Sequence, residues 1–212
     1  MVPQGEVHVH VGARGATDAD DRLTLAAVLA QLAGVSAAVL ERRCAHCAGR
    51  HGPHGRPVPV SPAACVGWAV SLSRAGASVA MAVTNGAPVG IDLASVAAVA
   101  RHDLDSAAFN AAEIAVLHRL SPATAAQARA TLWTAKEAVL KLTGQGLRVD
   151  PRDLTVTLAE DGSPGAVQAW DAAPAALPLL RLLAVPTGPG LVGTVAVLTE
   201  GPVTLRLLPR AF

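Results

Sequence analysis

The feature that most narrows the possible folds is the order of segments. A helix followed by short strands with turn signals occurs twice, with a switch near residues 94–100. Residues 6–11, Glu-Val-His-Val-His-Val, alternate strictly and predict a strand. Asp18 to Asp21 offer N-caps and an acidic first turn for a helix over about 20–33 that stops near Gly34. A second helical stretch is expected over about 36–43, then a loop over 44–63, where Cys, His, Gly and Pro concentrate. Strand-like runs follow at 68–73, 78–84 and 89–93, with Asn85-Gly86 as a hairpin signal because both residues tolerate positive φ.

Residues 95–145 turn helical. Asn110-Ala-Ala-Glu113 has the form of a capping box, and 124–142 is the longest uninterrupted helical segment, ending at Gly144. Strands return at 154–158, 166–170, 179–185, 191–198 and 203–208, with Asp161-Gly162 as the turn between the first two. Hairpins after helices predict an α+β fold and argue against a doubly wound sheet.

Composition excludes several classes. Hydrophobic residues make up 51% of the 212, too many for a disordered chain. A net charge of +1 supplies no field for nucleic acid. Three cysteines do not make a disulfide scaffold. No basic, apolar leader opens the chain, and no apolar run reaches the roughly 18 residues of a membrane span. A globular protein of the cytoplasm, without membrane or nucleic-acid partners, is expected. Only two of the 17 basic residues are lysines, Lys136 and Lys141, and they share one segment. A lysine is a compact point charge suited to phosphate.

Three segments can carry chemistry. In Trp133-Thr-Ala-Lys136-Glu137-Ala-Val-Leu-Lys141-Leu-Thr-Gly144-Gln-Gly146-Leu147, Trp133, Glu137 and Lys141 recur every four residues and share a helix face. There a carboxylate can hold a hard cation and an ammonium can neutralise phosphate, or the two can form an ordinary surface ion pair. In Gly90-Ile91-Asp92-Leu93, alternation turns Asp92 away from Ile91 and Leu93, toward a cleft or into a turn cap. Ser73-Arg74, before Gly76, suits a phosphate or a plain hairpin.

Taken in order, these segments resemble 4′-phosphopantetheinyl transferases of the Sfp type. Trp133, Lys136, Glu137, Ala138, Lys141, Gly144, Gly146 and Leu147 stand where that family has its W-x-x-K-E-A motif and the residues after it. Gly90-Ile91-Asp92, Gly55-Arg56-Pro57, Phe109-Asn-Ala-Ala-Glu113 and Asp21-Arg22 resemble further family elements. The resemblance implies transfer of the phosphopantetheine arm of coenzyme A to a serine of an acyl or peptidyl carrier protein of polyketide, peptide or fatty-acid assembly lines, releasing 3′,5′-ADP. It also implies a pseudo-dimer of two α+β halves, 1–94 and 95–212, with coenzyme A between them, working as a monomer. Asp92 and Glu137 would ligate Mg²⁺, and Lys141 would contact the pyrophosphate. Arg22, Arg56, Ser73, Arg74 and Lys136 would help to hold coenzyme A. Glu137 could accept the serine proton, directly or through a water. A carrier-docking patch is expected near 95–125, with Arg119 as its cation.

Two departures stand out. Ala94 occupies the position where the family often has a second acid, and Arg74 stands where His is usual. Ala94 keeps a non-catalytic coenzyme A- or carrier-binding protein open as the rival reading. Cys44, Cys47, His51 and His54 form a zinc-like cluster with only one C-x₂-C, open between a zinc site and a decorated loop. Cys65, Trp68 and Trp170 are expected in packing roles, and His8 and His10 on an exposed strand face.

Overall fold

The computed structural model describes residues 5–44, 47, 55–170, 173 and 179–209. The strands are β1 (Glu6–Ala13), β2 (Val39–Arg43), β3 (Arg56–Ser61), β4 (Trp68–Ala75), β5 (Ser78–Asn85), β6 (Val89–Ser95), β7 (Thr155–Leu158), β8 (Pro164–Ala169), β9 (Leu180–Val185), β10 (Leu191–Leu198) and β11 (Thr204–Leu207). The helices are α1 (Asp18–Ala33), α2 (Val96–Arg101), α3 (Asp105–Ala108), α4 (Ala111–Leu117) and α5 (Pro122–Thr143).

β5 shows why the sheets must stack. Its Val-Ala-Met-Ala-Val run is apolar on both faces, so both faces need cover. Val79, Met81 and Val83 pack on Leu25, Val28 and Leu29 of α1. The alternate residues, Ala80 and Ala82, face the second sheet through Ile91, Leu93, Val195 and Val197. That second sheet turns Ala196 and Leu180 to α5, whose Leu132, Ala135, Ala138, Val139 and Leu142 complete the core. The layers therefore run α1, first sheet, second sheet, α5. The first sheet has the order β11-β1-β5-β4 and the second β6-β10-β9. The pairs β1·β5, β5·β4, β6·β10 and β10·β9 are all antiparallel. Two-stranded ribbons, β2·β3 and β7·β8, follow α1 and α5 in the chain. The mixed α+β class expected from the segment order is what the chain adopts.

Helix ends follow local chemistry. Thr17 and Asp20 form a capping box at α1, and Gly34 closes that helix in the left-handed conformation. Asn110 and Glu113 form the box expected at α4, and Gly144 closes α5.

Four expectations are corrected. The helix at 36–43 is strand β2, and part of the 44–63 loop is strand β3; their pairing is long-range and overrides the helical propensity of Leu, Glu and Arg. Gly55 permits this ribbon, because a Cβ there would lie 2.3 Å from the Arg43 carbonyl oxygen. Asn85-Gly86 turns the chain, but β5 and β6 do not pair; the turn carries the chain from one sheet to the other. His8 and His10 are covered, because β11 returns to pair with β1 in parallel, and His10 Nδ1 lies 3.2 Å from the Pro209 oxygen. His46, His51 and His54 lie outside the described residues. Among the described residues no three His, Cys, Asp or Glu side chains converge as a metal site.

The seating of α5 on β6 depends on Gly90. A Cβ there would sit 2.0 Å from the Ala138 oxygen and 2.7 Å from the Leu142 nitrogen, both main-chain atoms that cannot swing aside. Gly90→Ala is therefore expected to lower unfolding free energy by about 2–3 kcal/mol or more, measured by urea denaturation. Gly188, where no described residue lies within 4 Å of an added Cβ, is the control position for the same substitution.

Candidate active site

Because α5 lies against β6, its one-turn periodicity is projected onto the strand. Asp92 sits on β6, turned away from Ile91 and Leu93 as alternation requires. Its Oδ1 accepts from Lys141 Nζ at 2.6 Å and from Ser73 Oγ at 2.7 Å. Lys141 Nζ also donates to the Ile91 carbonyl at 3.1 Å, and the Ile91 N–H donates to Ser71 Oγ. β4, β6 and α5 thus meet at one point, where the edge of β6 is satisfied by side chains.

Glu137 lies one turn before Lys141. Among the described residues its Oε1 is buried and has no hydrogen-bond partner. Burial pushes its carboxyl above the ordinary glutamate value, and the Asp92 charge adds to this, with Lys141 as partial offset. An orphaned carboxylate oxygen beside a second carboxylate is a set of hard oxygen donors. It fits Mg²⁺, which takes one or two carboxylates and leaves its other positions to phosphate and water. Ala94, on the same face of β6 as Asp92, packs against Val99, Ala130 and Val192 and adds no oxygen.

Beside this pair opens a cavity of about 340 Å³ lined by Arg22 of α1, Arg42 of β2, Arg56 of β3, Arg74 of β4 and Lys141 of α5, with Asp18 as its acid. Five elements deliver five cations to one space. Arg56 Nη1 is held 3.5 Å from the Leu142 carbonyl, at the C-terminal end of α5 where a cation is favourable. Toward the other end of the α5 face, Trp133 lines a pocket of about 360 Å³ with Leu93, Ala94, Val99 and Leu104. Arg74 borders both spaces.

Of the residues singled out from the sequence, Asp92, Glu137 and Lys141 come together, and Arg22, Arg56 and Arg74 join Lys141 in the cationic cavity. Ser73 turns to Asp92 rather than into that cavity. Lys136 does not reach the site. Its side chain is 0% exposed, and Nζ donates to Glu113 Oε2 at 2.6 Å and to the Ala108 and Pro151 carbonyls. The helical step of 100° between Lys136 and Glu137 sends them to different faces of α5. Arg42 is not among the residues that the sequence singles out, because the helical reading of 36–43 hides the strand that carries it, and Leu-Glu-Arg-Arg has no alternation to signal one.

Two outcomes follow. Lys136→Met leaves the Glu113 carboxylate buried and unpaired, and is expected to cost about 3–5 kcal/mol in chemical denaturation. Glu137 has its folded pKa raised, so its proton is held more tightly in the folded state. Stability relative to Glu137→Gln should therefore be unaffected below the ordinary value of 4.5 and fall as pH rises through the raised folded value. Thermal melting of both proteins across pH checks this, and Mg²⁺ should recover the loss in the parent only.

Residues 88–182 match the family profile described as the 4′-phosphopantetheinyl transferase superfamily, ACPS. Among solved structures, the chain is similar to a holo-(acyl-carrier-protein) synthase from Bacillus anthracis str. Ames in complex with CoA (3′,5′-ADP), at TM-score 0.44 and 19% identity, covering 54% of this chain and 96% of that one. It is also similar to an apo-ACPS structure from Chronobacterium ammoiniagenes, at TM-score 0.42 and 17% identity, covering 53% of this chain and 95% of that one. No curated protein matches the chain. Asp92, Glu137 and Lys141 all fall within residues 88–182, the segment that is similar to the 4′-phosphopantetheinyl transferase superfamily.

Proposed function

We propose that the chain transfers the 4′-phosphopantetheine arm of coenzyme A to a serine of an acyl or peptidyl carrier protein, releasing 3′,5′-ADP, as a member of the Sfp type. The observation that carries this reading is the line Trp133–Glu137–Lys141 on one face of α5. It runs from an apolar pocket, past the Asp92–Glu137 carboxylates, to a cavity with five cations. Coenzyme A has the same order of parts: a neutral arm, a pyrophosphate and a phosphorylated nucleotide.

In this arrangement Arg22, Arg42, Arg56 and Arg74 hold the nucleotide phosphates, and Lys141 holds the pyrophosphate. Asp92 and Glu137 would hold Mg²⁺, which when bound supplies neutralisation of charge on the phosphate oxygens. The serine oxygen attacks the β-phosphorus, and the bond between that phosphorus and the bridging oxygen breaks. The leaving phosphate is that of 3′,5′-ADP, with Lys141 beside it. Glu137, made more basic by burial and by Asp92, takes the serine proton. Trp133 and Leu104 shield the arm from water.

The fold supports a reading as two related halves. The sequence of elements β1, α1, β2·β3, β4, β5 is repeated as β6, α5, β7·β8, β9, β10 after the insertion of α2 to α4, with sheet orders β1-β5-β4 and β6-β10-β9. We place the boundary at the turn between β5 and β6 rather than after residue 94, which assigns Asp92 to the second half along with Glu137. The matched segment also begins at residue 88. A carrier protein would dock on α4 and the turn after it, where Val116 and Arg119 are exposed.

Intact-mass measurement of an apo carrier protein incubated with the chain, coenzyme A and Mg²⁺ tests the reading. The expected gain is one phosphopantetheine arm, abolished without Mg²⁺ and reduced at least 100-fold by Glu137→Gln while coenzyme A still binds. Coenzyme A binding with no gain on any carrier would favour the non-catalytic binder, for which the missing acid at Ala94 is the specific observation.

A further inference from the structure

Arg74 is the residue shared by the cationic cavity and the apolar pocket. Its guanidinium is anchored on α1. Its Nε donates to Asp21 Oδ2 and its Nη2 to the Asp18 carbonyl at 3.2 Å. Among the described residues none accepts from Nη1. Asp21 is 1% exposed, and its Oδ1 accepts from the Gly15 N–H at 2.8 Å. Capping of α1 does not explain this burial. The cap is made by Asp20, which accepts from both the N–H and the hydroxyl of Thr17. Asp18 is exposed: its Oδ1 accepts from Arg14 at 2.8 Å and lies 3.4 Å from Arg74 Nε, a longer and solvated contact. Of the three acids in the first turn of α1, Asp21 alone is buried, and what it grips is the guanidinium at the junction of the two spaces.

We infer that Asp21 is a positioning residue, which fixes the Nε–Nη2 edge of Arg74 against α1 so that the Nη1 side faces the incoming phosphate. The inference rests on the transferase reading above, and it assigns a role to a residue that touches neither ligand space. A free arginine has four side-chain torsions to order when a phosphate arrives. Here that ordering is complete before the ligand binds, so binding does not bear it. The grip also explains how an arginine works at this strand end. Its fork is oriented by a carboxylate that has no access to solvent, and one face of the fork remains for the ligand.

The test uses the full chain and adenosine 3′,5′-bisphosphate as probe, with calorimetric binding and steady-state transfer measured side by side. Asp21→Asn can keep the hydrogen bond from Gly15 but loses the ion pair. It is expected to weaken nucleotide binding and raise KM for coenzyme A about tenfold, with kcat within about twofold. In an Arg74→Ala background the same change should move neither value, because the group it positions is gone. Unchanged or tighter binding by Asp21→Asn would overturn the inference, since removing a negative charge near five cations favours an anion unless the acid orients something. A full effect in the Arg74→Ala background would overturn it too. Should Asp21→Asn fail to fold, Arg74→Lys decides: it keeps the charge but cannot span Asp21 and a phosphate, so parental affinity sinks the idea and a tenfold loss supports it. Absence of any nucleotide binding by the parent protein would sink the function itself, an outcome distinct from both.

Discussion

The close approach of α5 to β6 at Gly90 is the contact on which the rest of the site depends. With no side chain at that position, the main chain of the helix rests directly on the main chain of the strand. Glu137 and Lys141 are thereby brought over Asp92, and the 3.6-residue period of one element is matched to the two-residue period of the other. A methyl group at residue 90 would lift the helix and separate the carboxylates without altering either of them. The apolar layers on either side make this contact rigid: Ala135, Ala138 and Val139 are fully buried, and β5 is covered on both faces.

Two ion pairs on the same helix have opposite uses. Lys136–Glu113 is sealed from water and has every donor engaged, with two carbonyls completing the shell of the ammonium. It ties α4, the turn at Ala108 and the chain after Pro151 to α5, and it is structural. Lys141–Asp92 is partly open, with 30% of the lysine side chain exposed, and it borders the cationic cavity. A partly hydrated pair exchanges partners at lower cost than a buried one, so this lysine can turn to a phosphate while its neighbour cannot. Glu137, between them along the chain, has no partner for one oxygen among the described residues, and burial together with the Asp92 charge raises its affinity for a proton.

Local structure is legible in the sequence where the physics is local. The capping box at Asn110, the glycine stop at Gly144, the strand at 191–198 and the turning of Asp92 away from Ile91 and Leu93 each depend on residues within a turn or two. Sequence and structure part where distant pairing decides. β2 looked helical because Leu40, Glu41, Arg42 and Arg43 favour helix in isolation, yet β3 holds them extended. Asn85-Gly86 carried a true turn signal but not the identity of the next neighbour. His8 and His10 looked exposed until β11, nearly 200 residues away, paired beside them.

The sequence by itself determined the alternation of helices and strands, the spacing of Trp133, Glu137 and Lys141 on one helix face, and the carboxylate at Asp92, because these follow from backbone periodicity and side-chain chemistry. Only the tertiary structure decided that Lys136 is buried against Glu113, that Arg42 joins the cationic cavity, and that Asp21 holds Arg74. Each of these depends on which surfaces pack together, and periodicity along one segment carries no information about the segment that will cover it.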